Sequence, residues 1–185
     1  MQQERNTFKI ILVGAGGCGK TNFVKRLQKQ NFDPKYIPTL GVEVEPVRFE
    51  TNYGTYCLNV WDCAGDPKFG GLRDGYYVQA DACIIMFDLT SPESLNEMKR
   101  VAVDVRRCVG NVPVVLCGNK SDCQVNVDDS LLAQLRNNPE IIYFDVSTKN
   151  NFHVNEPCIE LLRILTKKPN LELLENMKNN MASML

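Results

Sequence analysis

Gly14-Ala15-Gly16-Gly17-Cys18-Gly19-Lys20-Thr21 fits the pattern G-x-x-x-x-G-K-[ST]. It follows the apolar run 8–13 directly and opens a segment of helical periodicity at 20–30, the strand, loop and helix context in which that pattern holds phosphate. Glycines let the backbone curl until successive N–H groups converge on phosphate oxygens, and the helix N-terminus adds a favourable dipole. Lys20 is expected to reach the β and γ phosphates as a point charge. The Thr21 hydroxyl is expected on Mg²⁺, which prefers oxygen donors in octahedral geometry. Ala15, Gly16, Gly17, Cys18, Gly19 and Asn22 are expected to join them in binding the nucleotide. Cys18, beside Lys20 at a helix N-terminus, has surroundings that can lower a thiol pKa, against the simpler expectation of a small residue filling a tight loop.

Outward from this loop, short β-branched and aromatic runs alternate with helical segments, which predicts an α/β fold with helices on both faces of a sheet. The predicted strands are 8–13, 42–49, 56–61, 82–87, 112–117 and 141–146, and the predicted helices 20–30, 94–107, 128–135 and 156–167. Phe23, Val24 and Leu27 mark the buried stripe of the first helix. Thr51-Asn52-Tyr53-Gly54 is too short for a crossover, so the second and third strands are expected to form an antiparallel hairpin in an otherwise parallel sheet. Ligands of such sheets bind at the C-terminal strand ends.

A chain of 185 residues is enough for one domain that buries about two thirds of its unfolded surface. The expected division is a polar extension at 1–7, a nucleotide-binding domain at 8–168 and a short extension at 169–185. A net charge of -1 gives no broad attraction to nucleic acid or anionic lipid. The eight cysteines lie mostly in apolar runs, as at Cys57, Cys83 and Cys117, and are expected to be free thiols. Signal peptide, membrane span and terminal prenylation box are all absent from the expectation, so no lipid anchor is expected.

The other strand-end loops name the ligand. Asp62, ending Asn59-Val60-Trp61-Asp62, is expected to hold the metal with Thr21 through a bound water. Asn119-Lys120-Ser121-Asp122 follows the fifth strand. An ionised Asp122 can accept from both N1–H and the N2 amine of guanine, a pairing that adenine does not offer. Such a site leaves its own polar groups unpaired against the wrong base and can discriminate by about 10⁴-fold. Lys120 can lay its stem on the base, and Ser147-Thr148-Lys149 can supply backbone N–H groups to the guanine carbonyl.

Together these motifs resemble the Ras-like small GTPases. Thr39-Leu40-Gly41-Val42-Glu43-Val44, Phe69-Gly70-Gly71-Leu72-Arg73-Asp74-Gly75-Tyr76-Tyr77, Cys117-Gly118-Asn119-Lys120 and Lys168-Pro169-Asn170-Leu171-Glu172 look like the Ran branch, the nuclear-transport GTPases. The resemblance implies the three-layer phosphate-loop GTPase fold, six strands with one antiparallel, binding GTP or GDP with Mg²⁺. It implies that Thr39, in a first switch, joins Thr21 and Asp62 on the metal, and that Gly65, in a second switch, donates its N–H to the γ-phosphate. Phe32 would flank the ribose and Tyr36 would cover the γ-phosphate. Karyopherin-type receptors and the small Ran import carrier would read the switches and Phe69, from a monomer resident in nucleus and cytoplasm. Trp61 is either core packing or part of that effector surface.

Two departures qualify the resemblance. The family reads Asp-Thr-Ala-Gly-Gln where this chain reads Asp62-Cys63-Ala64-Gly65-Asp66, so an aspartate replaces the water-positioning glutamine. An ionised aspartate only accepts hydrogen bonds, and at ~5 Å from one phosphate charge it would be repelled by about 3 kcal/mol at an effective dielectric of 20. With Lys20, Gly65 and Asp66 as the catalytic set, slow hydrolysis is expected; the opposing reading makes Asp66 a general base. The alternative function is a module that holds GTP without cycling and occupies transport receptors. The second departure is the loss of an acidic tail and of its basic docking patch, here Gln134-Leu135-Arg136-Asn137-Asn138-Pro139-Glu140, so Ran-binding domains that embrace such a tail are not expected partners. Leu171, Leu174, Met177, Met181 and Met184 form an apolar stripe for the protein's own core or for a partner, with self-packing or fraying the expected case.

Overall fold

Strand β1 (Thr7–Gly14) sends Phe8, Ile10 and Leu12 into one apolar cluster and Ile11 and Val13 into another, so the period-two alternation of a strand builds two cores at once. The computed structural model describes residues 5–66, 68 and 73–174. Among these, α1 (Lys20–Leu27), α2 (Arg73–Tyr77), α3 (Pro92–Val109), α4 (Asp129–Asn137) and α5 (Glu156–Thr166) accompany β2 (Val42–Thr51), β3 (Gly54–Cys63), β4 (Ala82–Asp88), β5 (Val114–Asn119) and β6 (Ile142–Asp145). Strand order is β2-β3-β1-β4-β5-β6, with β2–β3 antiparallel and every other pair parallel. The mixed six-stranded sheet expected from the sequence is therefore present.

α1 and α5 cover one face through Phe23, Val24, Leu27, Ile159, Leu161 and Leu162. α3 and α4 cover the other through Leu95, Met98, Val101, Val105, Leu132 and Leu135. β4 lies in the middle and is buried along its whole length, as a strand flanked by parallel neighbours and covered on both sides must be. All eight cysteines are free thiols, and no helix among the described residues is long and apolar enough to cross a membrane.

Several boundaries differ from expectation. α1 stops at Leu27 rather than at residue 30, because Lys29 turns left-handed at φ 61° and its N–H bonds the Arg26 carbonyl. β5 begins at Val114, since Pro113 has no N–H for the ladder and contributes only its carbonyl, to the Cys83 N–H. α2 was not expected, and its five residues are too few to carry a helical period. α3 begins earlier, at Pro92, with the Ser91 hydroxyl accepting from the Ser94 N–H as a cap.

The segment after α5 packs on the chain itself. Leu173 bridges to Thr51, Asn52 N–H donates to the Glu172 carbonyl, and Leu171 is fully buried in the α1/α5 core. Leu174 is half exposed, and Met177, Met181 and Met184 lie outside the described residues.

Candidate functional site

The C-terminal ends of β1, β3 and β5 and the loop after β6 surround one cleft of about 450 Å³. Its floor is the phosphate loop. Gly19, the N-cap of α1, offers no side-chain cap, whereas α3 and α4 are capped by Ser91 and Asp128. The first N–H groups of α1 are thereby left for a ligand. The buried Lys20 ammonium arches over the loop, donating to the Gly14 and Ala15 carbonyls at 2.9 Å each.

Cys18 does not line the cleft. Its thiol is buried, donates to the Met86 carbonyl at 3.4 Å, and is pushed up in pKa by burial, the opposing pull of Lys20 being smaller. The reading of Cys18 as a thiol of lowered pKa is overturned. It is the small residue that fills the loop.

Three oxygens expected on the metal converge. Thr21 Oγ1 donates to Asp62 Oδ2 at 2.6 Å and lies 3.2 Å from Thr39 Oγ1, although Thr39 belongs to the irregular segment between α1 and β2. Asp62 is 1% exposed, and its Oδ1 has no hydrogen-bond partner among the described residues. Burial raises its pKa to about 6 against the opposing pull of Thr21 and Lys20. A buried, orphaned carboxylate oxygen beside two hydroxyls suits a hard cation. Among the described residues no group of three or more acids, histidines or cysteines is arranged to hold a metal ion. One carboxylate with hydroxyls fits Mg²⁺, which keeps waters and takes phosphate oxygens as its other ligands.

The lid of the cleft comes from the same irregular segment and from the end of β3. Phe32, Tyr36 and Thr39 line the cleft with Gly65. Tyr36 lies on the phosphate loop, its hydroxyl 3.3 Å from where a Cβ at Gly16 would be. Gly65 approaches so closely that a Cβ there would sit 2.5 Å from Gly16 N and 2.6 Å from Lys20 Nζ. Asp66 turns along its own chain, Oδ1 accepting from the Lys68 N–H at 2.9 Å. Phe69 lies outside the described residues. Trp61 is half-buried, packs against the α3/α4 core and carries Lys9 Nζ 3.7 Å above its ring.

The remaining wall joins the base-reading loops. Asn119 is fully buried; its Nδ2 donates to the Cys18 carbonyl at 2.8 Å and its Oδ1 accepts from the Thr148 N–H at 3.1 Å. It thus ties the phosphate loop to both base loops. Only glycine fits beside it, since a Cβ at Gly19 would sit 2.1 Å from Asn119 Nδ2. Asp122 Oδ1 accepts from Ser147 Oγ at 2.5 Å. Burial of Asp122 pushes its pKa up, but hydrogen bonds from Ser147, its own backbone and Cys123, with the charge of Lys149, outweigh this and hold it low. The carboxylate is thereby kept as an acceptor. Lys120 adopts φ 65° and pairs with Asp88 Oδ2 at 2.5 Å.

The backbone donors expected from Ser147-Thr148-Lys149 are mostly committed. Ser147 N–H donates to the Phe152 carbonyl and Thr148 N–H to Asn119 Oδ1, so the expectation narrows to Lys149, which lines the cleft. The Asn22 side chain is also engaged with protein, bonding the backbone of Asp33 at both ends of its amide. Asp33 and Lys35, which the sequence reading did not single out, line the cleft as well. Nothing local distinguished them from other polar loop residues.

Most of the residues singled out in the sequence line this cleft; Ala15, Cys18, Asp62, Asp66 and Ser147 are not among its lining residues, though Asp62 and Ser147 bond Thr21 and Asp122, which are. The family model of the Ras family matches residues 9–167, which spans all of these elements, and the chain belongs to that family.

Proposed function

We propose that this Ras-family protein is a Ran-like guanine-nucleotide switch with impaired turnover. The observation that carries the reading is the local engagement of Asp66: its Oδ1 accepts from the Lys68 N–H two residues on. Ordered next to Gly65, it lacks the N–H donor with which a glutamine would orient water. Binding and closure are supported independently by Thr21, Thr39 and Asp62, which would hold Mg²⁺. The ion would supply positive charge to the phosphates. Lys20 and the N–H groups at the start of α1 bind the phosphates, Tyr36 and Gly65 exclude water, and Asp122 reads the base.

The same placement of Asp66 favours a second reading, a GTP-loaded module that occupies its receptors without cycling. In both, karyopherin-type receptors and the Ran import carrier are the proposed readers of the switches, in nucleus and cytoplasm, as nucleocytoplasmic transport requires. The likeness of 39–44 and 69–77 to the Ran branch supports this assignment. The Arg136 guanidinium is paired with both oxygens of Asp145, which leaves it less available to an acidic partner segment.

Single-turnover GTP hydrolysis by the wild type and Asp66→Gln tests the proposal. A rate increase in the variant is expected. An unchanged or lower rate rejects impaired turnover, and a lower rate favours Asp66 as a general base.

A further inference from the structure

Asn22 and Arg26 stand four residues apart on α1 and therefore share one face of the helix. Each grips backbone rather than side chain. Asn22 Nδ2 donates to the Asp33 carbonyl at 2.9 Å, and the Asp33 N–H returns a bond to Asn22 Oδ1 at 3.0 Å. Arg26 Nε donates to the Thr148 carbonyl at 2.9 Å and Nη2 to the Lys149 carbonyl at 3.1 Å. A third, longer bond from Nη1 reaches the Gln30 carbonyl at 3.4 Å, closing the end of α1 itself.

The gripped segments have no ladder of their own at these points. Residues 30–40 form neither helix nor strand, and Lys149 lies in a turn. Yet both form walls of the nucleotide cleft, through Phe32 and Asp33 on one side and Thr148 and Lys149 on the other. Between them runs the helix whose N-terminus faces the phosphates. Further support at the first wall comes from the partly exposed Lys25–Asp33 pair at 3.1 Å, a kind of pair that contributes little.

We propose that Asn22 and Arg26 are positioning residues that make α1 a strut between the root of the first switch and the base-reading loop, so that the two walls loosen together when nucleotide leaves. This rests on the guanine-nucleotide reading above. Neither side chain contacts nucleotide in this scheme. Asn22 keeps its backbone N–H for phosphate while its amide holds Asp33, and Arg26 fixes the carbonyls of the loop that carries Lys149. A planar guanidinium spans two successive carbonyls, a geometry that a lysine ammonium does not reproduce.

The test is release of fluorescent GDP at fixed Mg²⁺ from the wild type, Asn22→Ala, Arg26→Ala, Arg26→Lys and the double alanine variant. The affinity ratio of GDP to inosine diphosphate, which lacks the N2 amine read by Asp122, is measured alongside. Each single alanine variant is expected to speed release about tenfold, the scale of losing a buried or charge-assisted hydrogen bond. The double variant should fall well short of the product of the two, because freeing one wall already frees the other. Arg26→Lys should resemble Arg26→Ala, and both should narrow the preference for GDP over inosine diphosphate. A double variant whose effect equals the product, or an Arg26→Ala protein with unchanged release and base preference, overturns the strut. Equal loss of melting temperature in nucleotide-free and loaded protein, without change in base preference, also overturns it in favour of a general structural role. Failure of the wild type to bind GDP would instead refute the functional reading itself.

Discussion

The hydroxyl of Thr39 lies 3.2 Å from that of Thr21, across the gap between an irregular segment and the first turn of α1. With Tyr36 on Gly16 and Gly65 against Lys20, the contact defines a closed cleft. Closure of this kind favours a ligand that reaches all three, and a nucleoside triphosphate does so better than a diphosphate.

Thr39→Ala should therefore weaken binding of a non-hydrolysable GTP analogue by about tenfold while changing GDP affinity much less. Competition titrations with the two nucleotides measure the ratio. Equal losses for both would mean that Thr39 supports the fold of the cleft rather than its closed state.

Gly65→Ala forces a Cβ to within 2.5 Å of Gly16 N, a backbone atom that cannot yield. The segment has to withdraw from the phosphate loop. Hydrolysis should fall by about a hundredfold, the scale of losing one well-placed donor. GDP affinity should hold, because Asn119, Asp122 and Lys20 are untouched. Loss of GDP binding in a folded variant would contradict this division of labour.

The low pKa of Asp122 predicts a pH dependence with a definite sign. The folded value lies below the ordinary 3.8, so the contribution of the ionised group is present above that value and is lost as pH falls through the lowered one. Ser147→Ala removes a hydrogen bond that holds Asp122 low. Its loss of guanine affinity on acidification should begin at higher pH than in the wild type. A titration of GDP affinity against pH compares the two, and coincident curves would exclude Ser147 as the group that keeps Asp122 ionised.

Cys123 is exposed, whereas Cys18 is 1% exposed and its thiol is pushed up by burial. A thiol reagent should label Cys123 in the native protein long before Cys18, which should react only on unfolding. Peptide mapping after brief labelling gives the order. Early labelling of Cys18 would restore the reactive-thiol reading.

The sheet, the hairpin, the phosphate loop and the loop at Asn119 to Asp122 were legible because each is a local signal, whereas Phe32, Tyr36 and Thr39 rested on the resemblance and Asp33 and Lys35 were missed. Glycines with Lys20 and Thr21 announce a phosphate cradle, and Thr51 to Gly54 leave room only for a hairpin turn. Asn22 and Arg26 were not legible as a strut. On sequence they are polar positions of an amphipathic helix, and their partners lie 11 and more than 120 residues away. The reach of α1 was overestimated because Gln28-Lys29-Gln30 contains no helix breaker, while α2 escaped notice because Gly75 sits in a five-residue helix. The commitment of the Ser147 and Thr148 N–H groups depends on Phe152 and Asn119, which only the folded chain brings near.

Identification of the nucleotide retained by the purified protein, by mass spectrometry after denaturation, tests the central claim most directly. GDP or GTP is predicted, because an ionised Asp122 accepts from the guanine edge. ADP or ATP in its place would contradict the account.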